Sequence, residues 1–166
     1  MKKVLCAFMC ILFLAGCGKI NTKENKIPDF IGFRTDVKTT FNNVEISAYA
    51  EYDEIQGLSV ILKTPESVNG MKIMCKDGEC KIDFHELSFV IPHKELPFSS
   101  FFVALESCAE NIRISTYENG YYSYTVNGNM CQIYVDEETK TFTKLSVNGA
   151  DMLFFENFEY VMGQTE

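Results

Sequence analysis

Two cysteines flank a tight-turn signal in the segment Cys75-Lys-Asp-Gly-Glu-Cys80. An Asp-Gly pair favours a two-residue hairpin loop, because both positions take positive φ readily. Such a loop sets Cys75 opposite Cys80 at a non-hydrogen-bonded pair, where facing side chains approach most closely. The spacing therefore allows a cross-strand disulfide, with buried free thiols as the alternative.

A second possible disulfide involves Cys108 and Cys131. Cys108 lies on the apolar side of a segment with helical spacing, and Cys131 shares a strand face with Ile133 and Val135. Both side chains are expected to point into the same core. A disulfide between them would link the helix to the sheet, and two buried thiols are again the alternative.

Zinc binding and catalysis are the other chemistries that these residue types suggest. Cys75, Cys80, His85 and His93 contain the residue types of a zinc site. His85, however, is out of phase with Ile82 along its strand and should face away from both cysteines. We therefore expect no metal site, and two surface histidines. With no Ser/His/Asp arrangement and no G-x-S-x-G motif, the sequence predicts neither an enzyme nor a cofactor.

The N-terminal segment has the layout of a secretory signal, with a basic start, an apolar run and small residues. The run Val4–Leu14 is too short to span a bilayer comfortably. Its last residues, Leu14–Cys17 (LAGC), resemble the bacterial lipobox. The resemblance implies cleavage before Cys17 and attachment of acyl chains such as palmitate to its thiol. The alternative is an ordinary signal peptide that ends in Gly-Cys.

These features predict three parts of the chain. Residues 1–16 are a lipoprotein signal peptide, residues 17–29 are the lipidated cysteine and a polar tether, and residues 30–166 are the domain. Two or more acyl chains give stable anchoring, here on the extracytoplasmic face of a cell membrane. The Lys- and Asn-rich usage points to a Gram-positive envelope. The net charge of -8 excludes nucleic acid as a partner, since phosphate requires a basic surface.

Beyond residue 30, apolar and polar residues alternate with a period of two, which indicates strands with one buried face. Asn-Gly and Asp-Gly pairs separate many of these runs and favour tight hairpins. The predicted strands are 33–41, 44–52, 58–62, 71–76, 79–85, 87–91, 112–118, 121–126, 130–136, 141–147 and 151–160. The fold class is therefore mainly β (α+β), an antiparallel meander of about eleven strands. It forms either a curved half-barrel or a closed, lipocalin-like barrel.

Residues 98–109 interrupt this alternation. Phe98, Phe101, Phe102, Leu105 and Cys108 recur at helical spacing. The pattern predicts one amphipathic helix, which must bury its apolar side. The concave face of the curved sheet is the expected place.

Together, the lipobox, the long meander, the segment TPESVNGMKI and the helix segment LPFSSFFVAL resemble the LolA/LolB-like family over residues 30–161. That family comprises lipoprotein carriers and lipid-binding lipoproteins. The resemblance implies a half-barrel sheet, a helix in its concave mouth and an apolar cavity for acyl chains between them. It also implies that the segment PESVNG contributes a lid-like loop. One helix is predicted here, where the carriers have several.

The sequence thus predicts a membrane-anchored, extracytoplasmic lipoprotein that binds a lipid or acyl chain between sheet and helix. The alternative is an envelope adaptor that binds another protein through its acidic face and strand edges, with a filled core and no cavity. The candidate cavity residues are Ile46, Ala48, Val60, Leu62, Ile73, Phe84, Phe98, Phe101, Phe102 and Leu105.

Overall fold

The computed structural model describes residues 27–163, so Cys17, the predicted signal peptide and most of the predicted tether lie outside the described residues. The described chain forms eleven strands and one α-helix, α1 (Ser99–Asn111). The strands are β1 (Gly32–Phe41), β2 (Val44–Asp53), β3 (Gly57–Thr64), β4 (Lys72–Lys76), β5 (Glu79–Phe84), β6 (Leu87–Pro92), β7 (Thr116–Glu118), β8 (Tyr121–Val126), β9 (Asn129–Val135), β10 (Phe142–Val147) and β11 (Ala150–Val161).

All eleven strands belong to one antiparallel sheet. Its order is β6-β5-β4-β3-β2-β1-β11-β10-β9-β8-β7, so almost every strand pairs with its neighbour in sequence. The exception is the pairing of β1 with β11, which joins the two ends of the chain, with Gly32 opposite Val161. The predicted eleven-strand meander is confirmed, in its open half-barrel form.

Hairpin turns at Asn-Gly and Asp-Gly explain why the strands follow one another so closely. Asn127 and Gly128 have φ values of 49° and 78°, and Asp77 and Gly78 have 52° and 82°. Two successive positive φ angles match the right-handed twist of the flanking strands. The register then follows from the turn, with Lys76 opposite Glu79.

The helix connects the two edges of the sheet. β6 and β7 are the outermost strands in the sheet order, yet they are consecutive in sequence. The chain between them must therefore cross from one edge to the other, and α1 makes this crossing over the concave face. Its buried residues belong to the core cluster of the sheet. They are Phe101, Phe102, Ala104, Leu105, Ser107, Cys108 and Ala109.

One predicted strand begins later than expected. The sequence predicts a strand over 112–118, but residues 112–114 form a 3₁₀ turn that continues the helix, and β7 begins at Thr116. Ile112 is 3% exposed and extends the buried side of α1 by one more turn. Its apolar character serves the helix, which the alternation alone could not distinguish from a strand.

The domain begins slightly before residue 30. Phe30 is buried in the core, and Ile27 packs against it. The backbone N–H of Ile27 donates a hydrogen bond to the Tyr122 hydroxyl over 3.3 Å. Between residues 27 and 163, no helix has the length and apolar character needed to cross a membrane.

The contact between α1 and the sheet yields a stability prediction. Leu105 is fully buried against the sheet. We expect Leu105→Ala to lower the free energy of unfolding by about 2–5 kcal/mol, because the substitution removes apolar contacts and leaves a cavity. Chemical denaturation of the purified full-length chain measures this. The control is Ile61→Ala on the outer face of β3, where the side chain is 37% exposed and the loss should stay within about 1 kcal/mol. Equal losses in the two variants would contradict the packing of α1 described above.

Candidate functional site

A cavity of about 550 Å³ lies between the first turns of α1 and the concave face of the sheet. This volume falls within the range of small-molecule sites, about 300–1,000 Å³. Asn42 and Thr64 are the polar residues in its lining, and the remaining lining side chains are apolar. The cavity can therefore hold an apolar molecule, and no charged side chain from residues 27–163 lines it.

Six of the predicted cavity residues lie in this lining. They come from β2, β3, β4 and the start of α1, so the alternation and the helical spacing place them correctly on inward faces. These residues are Ile46, Leu62, Ile73, Phe98, Phe101 and Phe102.

The other four candidates do not line the cavity. Ala48, Val60 and Leu105 are fully buried in the packed core. Phe84 lies at the end of β5 beside the ring of His85, with ring centroids 4.2 Å apart. A period of two identifies which side chains of a strand face the concave side. It does not identify which of them pack against the helix and which line the cavity.

The sequence analysis did not predict several of the residues that line the cavity. Met71 and Ile82 carry the same alternation as Ile73 and were detectable from it. Pro65 and Val68 belong to the segment expected to act as a lid, and both line the cavity. The remaining ones come from the β1–β2 hairpin, from β6 and from the chain before the helix. They are Phe41, Val44, Phe89, Ile91, Leu96 and Pro97.

An aromatic pair stands at one end of the cavity. The rings of Phe41 and Phe98 meet edge-to-face, with centroids 4.7 Å apart. A smaller space of about 180 Å³ also has Phe41 and Phe98 in its lining and reaches Met152 on β11. The pair thus separates two neighbouring spaces. Phe98 has a φ of 61°, a strained conformation for a bulky residue, and it immediately precedes α1.

Cys75 and Cys80 are joined in a disulfide across the β4–β5 hairpin. They are directly opposite in register, with Cα atoms 4.1 Å apart. Both residues are buried on the concave face, with exposed fractions of 1% and 0%. The hairpin geometry deduced from the Asp-Gly turn therefore agrees with the structure.

The second cysteine pair is not bonded. Cys108 and Cys131 are both free and buried, in contrast to the link considered from the sequence. The Cys108 thiol turns back along its own helix and donates to the Ala104 carbonyl over 3.2 Å. Beside it, the hydroxyls of Ser107 and Tyr124 lie 3.0 Å apart and provide a polar contact between helix and sheet. Burial raises the pKa of the Cys108 thiol to about 12, so this thiol stays protonated at neutral pH.

The two histidines have different environments. His85 is exposed, as expected. His93 is not a surface residue: its side chain is 15% exposed, and its Nδ1 lies 3.6 Å from Oε2 of Glu106 on α1. Burial lowers the pKa of His93. Burial, with a smaller contribution from Glu110, raises the pKa of Glu106 to about 7. Glu106 therefore favours its neutral form in weakly acidic solution.

Comparisons with known proteins do not identify a function for this site. No protein-family model and no curated protein matches the chain. The chain is similar to a crystal structure of an uncharacterized conserved protein from Thermus thermophilus. The two chains share 11% identity, 80% of each is covered, and the TM-score is 0.46.

The environment of Glu106 predicts a pH dependence of stability. Its pKa is raised in the folded state, from 4.5 to about 7, so ionisation at higher pH disfavours folding. The stability difference between the native chain and Glu106→Gln should shift against the native chain by about 1–3 kcal/mol as pH rises from 5 to 8. Urea denaturation across this range measures the difference. Glu86→Gln, at an exposed turn, is the control and should show no such shift. A Glu106→Gln variant that follows the native pH profile would contradict the burial of this carboxyl.

Proposed function

We propose that this chain is a membrane-anchored, extracytoplasmic lipoprotein of the LolA/LolB-like type, which binds a lipid or acyl chain between α1 and the sheet. The cavity of about 550 Å³ is the observation that carries this proposal. An adaptor with a filled core has no need of such a space. The open half-barrel with a helix across its concave face also agrees with what the family resemblance implies.

The chemistry of the lining favours an acyl chain as the ligand. Transfer of each methylene from water to an apolar site contributes about 0.8 kcal/mol. A charged headgroup would find no partner among the lining side chains, so it would remain in water. Asn42 and Thr64 are exposed polar residues of the lining, and they mark where a polar headgroup would emerge.

One structural observation favours the adaptor as a second candidate. β6 is an outermost strand of the sheet, and three of its side chains are large, apolar and exposed. These are Leu87, Phe89 and Val90, with exposed fractions of 65%, 47% and 57%. An exposed apolar edge strand can accept a strand from a partner. Phe89 also lines the cavity, so this edge and the cavity are continuous.

Filling the cavity tests lipid binding. Leu62→Trp places a larger side chain in the cavity and should weaken binding of a fluorescent fatty acid at least about tenfold, or 1.4 kcal/mol. Ile61→Trp is the matched control, because Ile61 is the preceding residue on β3 and faces outward. Fluorescence titration measures both affinities, and circular dichroism verifies that both variants keep the fold.

Mass spectrometry of lipids extracted from the purified chain provides an independent measurement. Lipid should accompany the native chain and Ile61→Trp, and it should be reduced with Leu62→Trp. A native chain that carries no lipid and binds no fatty acid would rule out the carrier function and leave the adaptor.

Anchoring is tested separately at Cys17. Cys17→Ser should move the chain from the membrane fraction to the soluble fraction, because acylation requires the thiol. Cys10→Ser, within the predicted signal peptide, is the control and should leave the chain in the membrane fraction. Fractionation with immunoblotting, together with mass spectrometry of the N-terminal peptide, measures the result. Membrane association that persists without Cys17 would contradict the lipobox assignment.

A further inference from the structure

Three side chains with metal-ligand chemistry meet beside α1, next to the cavity. They are Cys75, Cys80 and His93, and their ligand atoms all lie within 4.8 Å of one another. The hairpin aligns the two cysteines, and the backbone N–H of His93 donates to the Gly78 carbonyl in the hairpin turn over 2.9 Å. The histidine is therefore held against the hairpin by its own backbone.

The two nitrogens of His93 have different surroundings. Nδ1 faces the Glu106 carboxyl at 3.6 Å, whereas Nε2 is buried and has no hydrogen-bond partner among residues 27–163. Burying an unpaired polar nitrogen costs about 1–3 kcal/mol, so such a nitrogen calls for an explanation. A histidine that binds a metal through one nitrogen commonly has a carboxylate at the other. Glu106 and Nε2 fit these two roles.

We propose that, once the Cys75–Cys80 disulfide is reduced, Cys75, Cys80 and His93 form a binding site for a tetrahedral divalent metal ion of the Zn²⁺ class. A dithiol reductant breaks the S–S bond by supplying two electrons and two protons, and is itself oxidised to a disulfide. The metal ion then displaces one proton from each thiol. His93 binds through Nε2, Glu106 orients the imidazole, and water takes the fourth position.

Charge and ligand type support this choice of metal. Two thiolates balance the two positive charges of the ion, so the ion and its protein ligands together carry no net charge. Thiolate and imidazole ligands suit zinc, whereas calcium and magnesium require oxygen ligands.

The sequence analysis considered both histidines beside the two cysteines, and the structure brings only His93 to them. His85 was set aside because it faces away from the cysteines, and the structure places it on the surface beside Phe84. His93 reaches the cysteines through the turn after β6, since Pro92 lies opposite Glu79 at the hairpin. The site therefore joins the hairpin, the turn and the helix, three separate segments of the chain. It is independent of whether the cavity binds lipid.

Cobalt provides a spectroscopic test. The full-length chain is reduced with a phosphine under anaerobic conditions and titrated with Co²⁺. We expect binding of one equivalent, with thiolate-to-cobalt charge-transfer absorption and intense tetrahedral d–d bands, and displacement of cobalt by Zn²⁺. The oxidised chain should show neither absorption.

Variants assign the ligands. Cys75→Ser/Cys80→Ser should abolish the charge-transfer band, and His93→Gln should weaken zinc binding and shift the d–d bands. Glu106→Gln should weaken zinc binding about 10–100-fold, the usual effect of removing the partner of a ligating histidine. His85→Gln and Cys108→Ser/Cys131→Ser are the controls and should bind as the native chain does.

Any of three outcomes would overturn the proposal. The first is a reduced chain that lacks the charge-transfer band, and the second is a band that survives in Cys75→Ser/Cys80→Ser. The third is a His93→Gln variant with the affinity and spectrum of the native chain. If a variant fails to fold by circular dichroism, the spectrum of Cys108→Ser/Cys131→Ser still decides. That variant leaves the proposed ligands in place, and the loss of its band would also overturn the proposal.

Discussion

The burial of α1 against the concave face is the interaction on which the rest of the architecture depends. In a closed barrel, side chains of the strands fill the interior, whereas here the helix occupies the concave side of an open sheet. The two ends of the helix lead to opposite edges of the sheet. An unoccupied concave face of this size would expose a large apolar surface to water. The open sheet is therefore stable because the chain that joins its edges also covers its inner face.

The packing of this interface is uneven along the helix. Around Leu105 and Cys108 the contact is tight, with both residues fully buried. Near Phe98 and Phe101 the helix stands away from the sheet and leaves the cavity. One element thus packs tightly against the sheet at one end and borders the cavity at the other.

Local patterns predicted much of the fold and only part of the site. Alternation defines the strands, and Asn-Gly or Asp-Gly turns define many of the hairpins, through contacts between neighbours in sequence. The meander was therefore predictable. The cavity depends on the angle and the distance between the helix and the sheet. The sequence pattern of a single segment does not determine either quantity. Leu62 and Val60 were both predicted to line the cavity because they share one face of β3. Leu62 does so, whereas Val60 is fully buried in the packed core. The contact of His93 with the β4–β5 hairpin likewise depends on the turn after β6, and hydrophobic periodicity does not predict the conformation of a turn.

The pairing of β1 with β11 fixes where the chain enters and leaves the domain. The backbone N–H of Ile31 donates to the Val161 carbonyl, so the chain enters and leaves at the same end of β1. The mouth of the cavity, at Phe41, lies at the other end, about 30 Å away for a strand of ten residues. Residues 17–26 span at most about 35 Å. If Cys17 carries the proposed lipid anchor, a domain that stands upright on these residues holds its opening away from the bilayer. The opening then faces the membrane only when the domain lies on its side.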